Sequence, residues 1–389
     1  MTAPVYEQLA DAFRFRGGAA PVLKCREFYA LLEELFTPKE AEIAIKMPLS
    51  PIPAETFARE IAGGDPEGVE KLLETMADKG LVFTYERGGV RHYSLMPLLP
   101  GVIEMQFLKG EVNDRTKKLA HLFQDYFDVM FELRKGMAPA VSAAPWARVI
   151  TVEQEIPAGV EIYPYDKVSE YIANSDYIAV GICYCRHLGE LLGRPCDKPK
   201  DVCMAFGPNA RFVVERGFAR LVSKKEALKI LTRAEKAGLV HCSSNTSKYV
   251  DFICNCCICH CGILQSIKGA VLPRSAATSA FIVAIDEEKC MGCGDCIDRC
   301  QMEALSMQDD IVASDVDRCI GCGLCISVCS TSALRMEPRE QRPIPPQDRR
   351  ELNMAMMASM PRDQAMPGQK IRNDGKDSNR THRGTRQVG

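Results

Sequence analysis

Two runs of cysteine concentrate the chemistry of this chain: CMGCGDCIDRC, from Cys290 to Cys300, and CIGCGLCISVC, from Cys319 to Cys329. Each reads C-x-x-C-x-x-C-x-x-x-C. Thiolates at successive three-residue steps (Cys290, Cys293 and Cys296; Cys319, Cys322 and Cys325) wrap three corners of a metal-sulfur cubane, and the fourth corner must come from elsewhere in the chain. Gly292, Gly294, Gly321 and Gly323 stand inside the loops, where a residue without Cβ lets backbone N–H groups approach an anionic centre closely. The eight thiols admit two other readings, a pair of zinc ions and a disulfide framework. Zinc sites pair C-x-x-C units across longer gaps, so the spacing favours iron and sulfide.

The repeat extends beyond the cysteines. DEEKCMGCGDCIDRCQMEALSM lies over DVDRCIGCGLCISVCSTSALRM without a gap, pairing Asp286 with Asp315, Lys289 with Arg318, Ala304 with Ala333 and Met307 with Met336. On these residues the stretch from about 278 to 337 resembles the bacterial-type ferredoxin domain that carries two 4Fe-4S clusters. The resemblance implies a ββ-repeat with two short helices, bounded here at 276–338. It also implies that the fourth cysteine of each run crosses to the other cluster, giving the sets Cys290, Cys293, Cys296, Cys329 and Cys319, Cys322, Cys325, Cys300. The chain departs from the family in one respect: Gln301 and Ser330 stand where proline usually follows the fourth cysteine.

A second concentration of thiols comes earlier, with Cys183, Cys185, Cys196 and Cys203 followed by Cys254, Cys256, Cys257, Cys259 and Cys261 in CNCCICHCG. Structural cysteines usually occur singly in cores. A thiolate-rich, carboxylate-poor donor set suits iron-sulfur or zinc and not calcium or magnesium. At least one further 4Fe-4S cluster is expected here, with zinc as the alternative and the two segments converging in space. His187 and His260 lie among these cysteines, where a surface or supporting role is preferred to ligation. Cys25 and Cys242 read as packing residues.

Elements must position these groups, and three regions are expected to do so in an α+β multidomain chain. Residues 146–275 read as a cysteine-rich α/β domain: ARVITVEQEI as a strand, Asp166 capping a helix through YDKVSEYIANSD, YIAVGICYC as a strand running into Cys183 and Cys185, and ARFVVERG as another strand. Ser223 and Glu226 form a capping-box signal for a helix closed by Gly238, and the hairpin after it suggests a second winged-helix-like unit. Residues 23–110 resemble a winged helix-turn-helix domain. Thr37 with Glu40 and Asp65-Pro66 mark helix starts, and two strands flank Gly88-Gly89. That fold often puts its last helix in the major groove of DNA. Glu67, Glu70, Glu74 and Asp78 against Lys71 and Lys79 disfavour phosphate contact, while Arg87, Arg91 and His92 favour an anionic partner; protein docking is the preferred role. Residues 111–145 read as an amphipathic helix, with Leu119, Leu122, Phe123, Tyr126 and Phe127 on one side, and the linker MAPAVSAAPWAR. Residues 1–22 give no firm signal, and 339–389 read as a disordered basic tail.

The chain has 389 residues, 19 cysteines and a formal net charge of -2, which by itself neither favours nor excludes nucleic acid. No run of about 20 apolar residues marks a membrane span, and MTAPVYEQLADAFRFRGG lacks the apolar core of a secretory signal. Cytoplasmic, reduced thiols are the expectation. A G-x-G-x-x-G turn after a strand is missing, which disfavours an intrinsic hydride-transfer site. These features together predict an electron-transfer protein or oxidoreductase subunit that passes single electrons to redox partner proteins. The layout also loosely resembles ferredoxin-domain proteins of anaerobic bacteria. The rival readings are a redox enzyme with a catalytic cluster in 183–261 and an iron-sulfur redox-sensing transcription regulator.

Overall fold

The computed structural model describes residues 3–16, 18, 22–135, 145–163, 166–268, 276–342 and 344–358. The chain begins with α1 (Pro4–Arg16), which buries Tyr6, Leu9, Ala10 and Phe13 at the spacing of one helical face. Next come α2 (Arg26–Leu35) and α3 (Pro38–Lys46), the latter opened by the expected Thr37/Glu40 capping box. Strand β1 (Ile52–Pro53) leads into α4 (Ala54–Phe57), extended by a looser turn to Ala62. Asp65 caps α5 (Pro66–Asp78), and β2 (Val82–Arg87) and β3 (Val90–Leu95) follow around the two glycines. The strands form an antiparallel sheet in the order β1-β3-β2. Helices α6 (Ile103–Phe107) and α7 (Asp114–Lys135) complete the region, with Leu119, Phe123 and Tyr126 of α7 fully buried.

Glu104 on α6 accepts a hydrogen bond from the Gly101 amide at 2.7 Å. Burial nevertheless pushes its carboxyl up to about 7. A carboxyl raised in the fold favours the protonated form, so stability is complete below the unfolded pKa and is lost as pH rises toward the folded one. Glu104→Gln keeps the acceptor and removes the titration. Thermal melts of this variant should match the parent near pH 4 and exceed it above pH 7, by a difference on the order of 2–3 kcal/mol.

The middle region is built on a sheet of the order β10-β4-β8-β9-β6-β5-β7 among the described residues. Its first elements are β4 (Ala147–Ile150), α8 (Val168–Asn174) and β5 (Ile178–Gly181). Helix α9 (Tyr184–Leu191), β6 (Cys203–Phe206) and α10 (Gly207–Glu215) follow. Then come β7 (Arg220–Val222), α11 (Lys224–Lys236), β8 (Val240–Ser244), β9 (Phe252–Cys256), α12 (Gly262–Lys268) and β10 (Ala276–Ala277). Every pairing is antiparallel except the short parallel one of β10 with β4.

Several local expectations are corrected here. ARFVVERG is helical, because Gly207-Pro208 starts a helix and Ala210, Phe212 and Val213 then turn to one side. The strand in YIAVGICYC ends at Gly181, so Cys183 is the N-cap of α9 and Cys185 lies within its first turn. ARVITVEQEI is strand only through Ile150 and then forms a short 3-10 turn at Glu153–Glu155. Asp166 caps no helix; it forms a buried ion pair with Arg148 at 2.5 Å. The β8–β9 hairpin belongs to the central sheet and makes no second winged unit. Of the expected linker, residues 137–144 lie outside the described residues, and Ala147 and Arg148 already belong to β4.

The N-terminal region docks onto this sheet from within the same chain. Phe83 meets Phe212 with ring centroids 5.1 Å apart. Arg216, whose side chain is 6% exposed, pairs with Glu74 at 2.7 Å and Asp78 at 2.9 Å. Arg91 pairs with Glu74 and Glu215. The acidic face of α5 and Arg91 of the hairpin therefore meet each other and α10.

The C-terminal unit has β11 (Phe281–Ile285), α13 (Asp295–Arg299), β12 (Leu305–Gln308), β13 (Ile311–Ser314) and β14 (Leu334–Pro338). Strand β11 pairs with β14 and β12 with β13, while a single 3-10 turn at Ile326–Val328 replaces a second short helix. Part of the expected disordered tail is ordered: α14 (Arg349–Ala358) is tied to the middle sheet by the Arg349–Asp251 ion pair and by Ser247 N–H donating to Pro346 O at 2.8 Å. Residues 343 and 359–389, with the basic stretch Arg362–Arg386, lie outside the described residues. No helix among the described residues is long and apolar enough to cross a membrane.

Candidate metal centres

The pseudo-twofold pairing of β11 with β14 and β12 with β13 brings the two cysteine runs together with their fourth members exchanged. One pocket is lined by Cys290, Cys293, Cys296 and Cys329, together with apolar side chains such as Val312 and Leu334. A second is lined by Cys300, Cys319, Cys322 and Cys325. Each crossing sulfur accepts a backbone N–H four residues on: Ala304 donates to Cys300 and Ala333 to Cys329, both at 3.3 Å. Burial raises the Cys329 thiol, but hydrogen bonds from the Thr331 hydroxyl and the following amides outweigh it and lower the pKa. At Cys322 burial prevails, and the thiol is pushed up to about 12. Four thiolates in an apolar pocket, with amides aimed at sulfur, fit a 4Fe-4S cluster. Gly292 and Gly321 have left-handed φ of 64° and 70°. A Cβ on Gly292 would meet Asp310 O at 2.4 Å, and one on Gly321 would meet Phe281 O at 2.0 Å, so both loops need glycine to pass neighbouring backbone.

The two quartets differ in what surrounds them. Met291 is 67% exposed and Cys293 lies at the surface. The second quartet faces the middle domain: Val152 N–H donates to Cys322 O at 3.0 Å, and Thr151 Oγ1 to Gly321 O at 2.8 Å. Arg299 caps the end of α11 through Glu235 O and Lys236 O. Gln301, standing where the family has proline, has a bridging role. Its Oε1 accepts from Ile258 N–H at 2.6 Å, and its Nε2 donates to Gly238 O and to Cys256 O. Gln301→Ala should lower the unfolding free energy by about 2–4 kcal/mol, since it leaves an amide and a carbonyl without partners in the seam. Denaturation of the anaerobic protein measures the loss, and amide exchange at Ile258 should rise with it.

The middle cysteines converge from separate elements, as expected, and divide into two groups. In the first, neighbouring thiols perturb one another's ionisation around a closed ring. Cys183 at the start of α9 meets Cys185 and Cys203. Cys185 meets Cys261, Cys261 meets Cys256, Cys256 meets Cys254, and Cys254 returns to Cys203. Hydrogen bonds from Cys185 and Cys203 draw the Cys183 thiol well below its ordinary pKa and push those two donors up. Cys242 on β8, read from sequence as packing, also touches Cys256, so it adjoins the ring. The second group, Cys196, Cys257 and Cys259, stands with His260. All nineteen cysteines are free thiols.

Arg186 is the residue that cysteine spacing did not point to. It is 1% exposed, and its Nη1 donates to Asn255 O at 3.0 Å and to Cys257 Sγ at 3.5 Å. Its Nε and Nη2 are buried without a partner among the described residues. An unsatisfied guanidinium beside Cys183, Cys203 and Cys257 is the countercharge that an anionic metal-thiolate centre requires. His187, by contrast, has both ring nitrogens engaged, with Glu111 O at 2.9 Å and Glu190 at 3.3 Å; it joins α9 to the α6–α7 loop and does not face the thiols. Cys25 sits at the N-cap of α2, packed against the N-terminal core.

Residues 283–336 match the family model for a 4Fe-4S dicluster domain, so the C-terminal part of the chain carries a ferredoxin-like 4Fe-4S domain with at least one iron-sulfur cluster. Comparison with curated proteins and with solved structures finds no match.

Proposed function

We propose, with that 4Fe-4S domain as the premise, that this chain is an iron-sulfur electron-transfer protein or oxidoreductase subunit with two 4Fe-4S clusters at 290–329 and a further cluster among the thiols of 183–261. The observation that carries the reading is the pair of four-cysteine cavities, each built from both runs. Bound clusters supply reversible one-electron chemistry. The chain's residues hold them, tune them and keep water away. Cys290, Cys293, Cys296 and Cys329 hold one near solvent, and Cys319, Cys322, Cys325 and Cys300 hold the other against the middle domain. Gly292, Gly294, Gly321 and Gly323 shape the loops around them. Arg186 balances charge at the ring. In space the donor sets run from surface to interior, which suits an exchange with a protein partner at the Met291 end.

The N-terminal region serves this reading as an internal brace. Its order of helices, short strand, two helices and hairpin is winged-helix-like, but the carboxylates of α5 are engaged with Arg216, so a phosphate backbone finds no cationic helix there. This disfavours the transcription-regulator alternative. The enzyme alternative draws support from the ring, whose six thiols exceed the four corners of one cubane.

Iron and acid-labile sulfide per chain, measured with electron paramagnetic resonance on anaerobically isolated protein, test the proposal. About eight irons belong to the dicluster domain and about four more to the ring. Colourless protein without acid-labile sulfide or a reducible centre overturns it. A substrate-dependent change in one paramagnetic signal would move the assignment to the enzyme.

A further inference from the structure

The second group of middle cysteines is built for a different occupant from the rest. The ligand atoms of Cys196, Cys257, Cys259 and His260 all lie within 4.8 Å of one another, and Cys196 Sγ and Cys259 Sγ are 3.4 Å apart. Four donors around one ion with bonds of about 2.3 Å have tetrahedral edges of roughly 3.8 Å. Ligands that hold separate irons of a cubane stand much further apart, because the cluster itself lies between them. Donor atoms at this spacing suit a single ion. From this the geometry points to a mononuclear, closed, tetrahedral Cys3His zinc site, distinct from every iron-sulfur donor set and independent of the electron-carrier reading.

Two observations outside the donor set support it. His260 Nε2 is within 2.8 Å of the Arg194 carbonyl, which fixes the tautomer with a proton on Nε2 and the lone pair on Nδ1. That Nδ1 is buried and has no hydrogen-bond partner among the described residues. A carbonyl that orients the ring through its far nitrogen is the usual support of a metal-bound histidine. The second observation is Gly189 in α9. A Cβ there would come within 2.1 Å of His260 Cδ2 and 2.3 Å of Nε2, so the helix carries glycine where the imidazole crosses it.

The donor chemistry selects the metal. Three thiolates and one neutral imidazole match zinc in charge, softness and geometry, and a complete set of protein donors leaves no open position for substrate. The site carries one net negative charge, and Arg186 Nη1 on Cys257 meets it. Its consequence is structural: the ion pins the Cys196 loop to the turn after β9, which lies between Cys256 and Cys261 of the ring and carries Ile258 of the Gln301 seam.

The test uses the full chain, isolated anaerobically from cells supplied with both iron and zinc. About one zinc per chain is expected beside the iron, with three sulfurs at about 2.3 Å and one nitrogen at about 2.0 Å by X-ray absorption at the zinc edge. Cys259→Ser should lose the zinc and keep the iron, the acid-labile sulfide and the reduced-state paramagnetic spectrum. Gly189→Ala, which displaces the imidazole without touching a donor, should weaken zinc retention against a chelator roughly 10–100-fold. The inference is overturned if the parent protein binds no zinc, if the absorption edge shows four sulfurs and no nitrogen, or if Cys259→Ser loses iron and sulfide together. The parent's own absorption spectrum decides the matter even where a variant fails to fold.

Discussion

Cys329→Ser should remove the same cluster as Cys290→Ser, although the two cysteines belong to different runs. Cys300→Ser should in turn match Cys319→Ser. The reason is the exchange of fourth ligands between the two cavities. A cubane that loses one of four thiolates to a hydroxyl retains three bonds and becomes labile to air and chelator, so the expected loss is about four irons per chain in each variant. The remaining dicluster-domain centre then lacks its magnetic neighbour, and its part of the reduced spectrum should change from spin-coupled to that of an isolated centre. Ligation within each run alone would group the variants otherwise, with Cys300→Ser resembling Cys290→Ser. Iron analysis and low-temperature paramagnetic resonance on the four variants distinguish the two patterns, and the second pattern would sink the assignment.

Arg186→Met should have opposite effects on the metal-free and the loaded protein. Without metal, Arg186 is a buried cation with two unsatisfied nitrogens, and replacing it with an apolar side chain of similar length removes a desolvation cost. With metal bound, the guanidinium faces anionic sulfur, and its removal leaves charge uncompensated at a cost of about 3–5 kcal/mol. The variant should therefore melt higher than the parent after anaerobic metal removal and lower before it. It should also lose ring-bound iron at least about a hundredfold more readily, while the dicluster signals stay unchanged. Arg186→Lys restores the charge without the planar fork, so it should recover part of the iron retention. Equal melting shifts of the same sign in both states would show Arg186 to be ordinary packing.

Much of the candidate C-terminal site was legible because its cysteines are local: spacing groups three of the four thiols that line each pocket, and the duplicated run supplies the fourth. Helix starts with a side-chain mechanism were equally clear, as at Thr37, Asp65 and Ser223. The middle region hid its chemistry because the ring draws on α9, β6, β9 and the start of α12, a convergence that no local period encodes. ARFVVERG misled because a short apolar run with two valines fits strand or helix, and the arbiter, Gly207-Pro208, lies just ahead of it. Tyr6, Leu9, Ala10 and Phe13 carry the helical spacing of α1, a pattern that the reading of residues 1–22 as giving no firm signal missed. Arg186, Gln301 and Gly189 could not be singled out in this way. An arginine, a glutamine and a glycine are informative only once their neighbours are known.

The seam at Val152, Thr151 and Gln301 has a kinetic consequence. Because the 4Fe-4S domain is fastened to its neighbour through hydrogen bonds of Val152, Thr151 and Gln301, the proposed exchange between them should be unimolecular: it would need no encounter, and dilution should leave its rate unchanged. Added salt, which slows diffusional meetings between oppositely charged proteins, has little hold on these hydrogen bonds, whereas the exposed Lys268–Glu303 ion pair across the same seam is open to screening. Ionic strength should therefore govern traffic with an outside protein at the Met291 end and leave the internal step untouched.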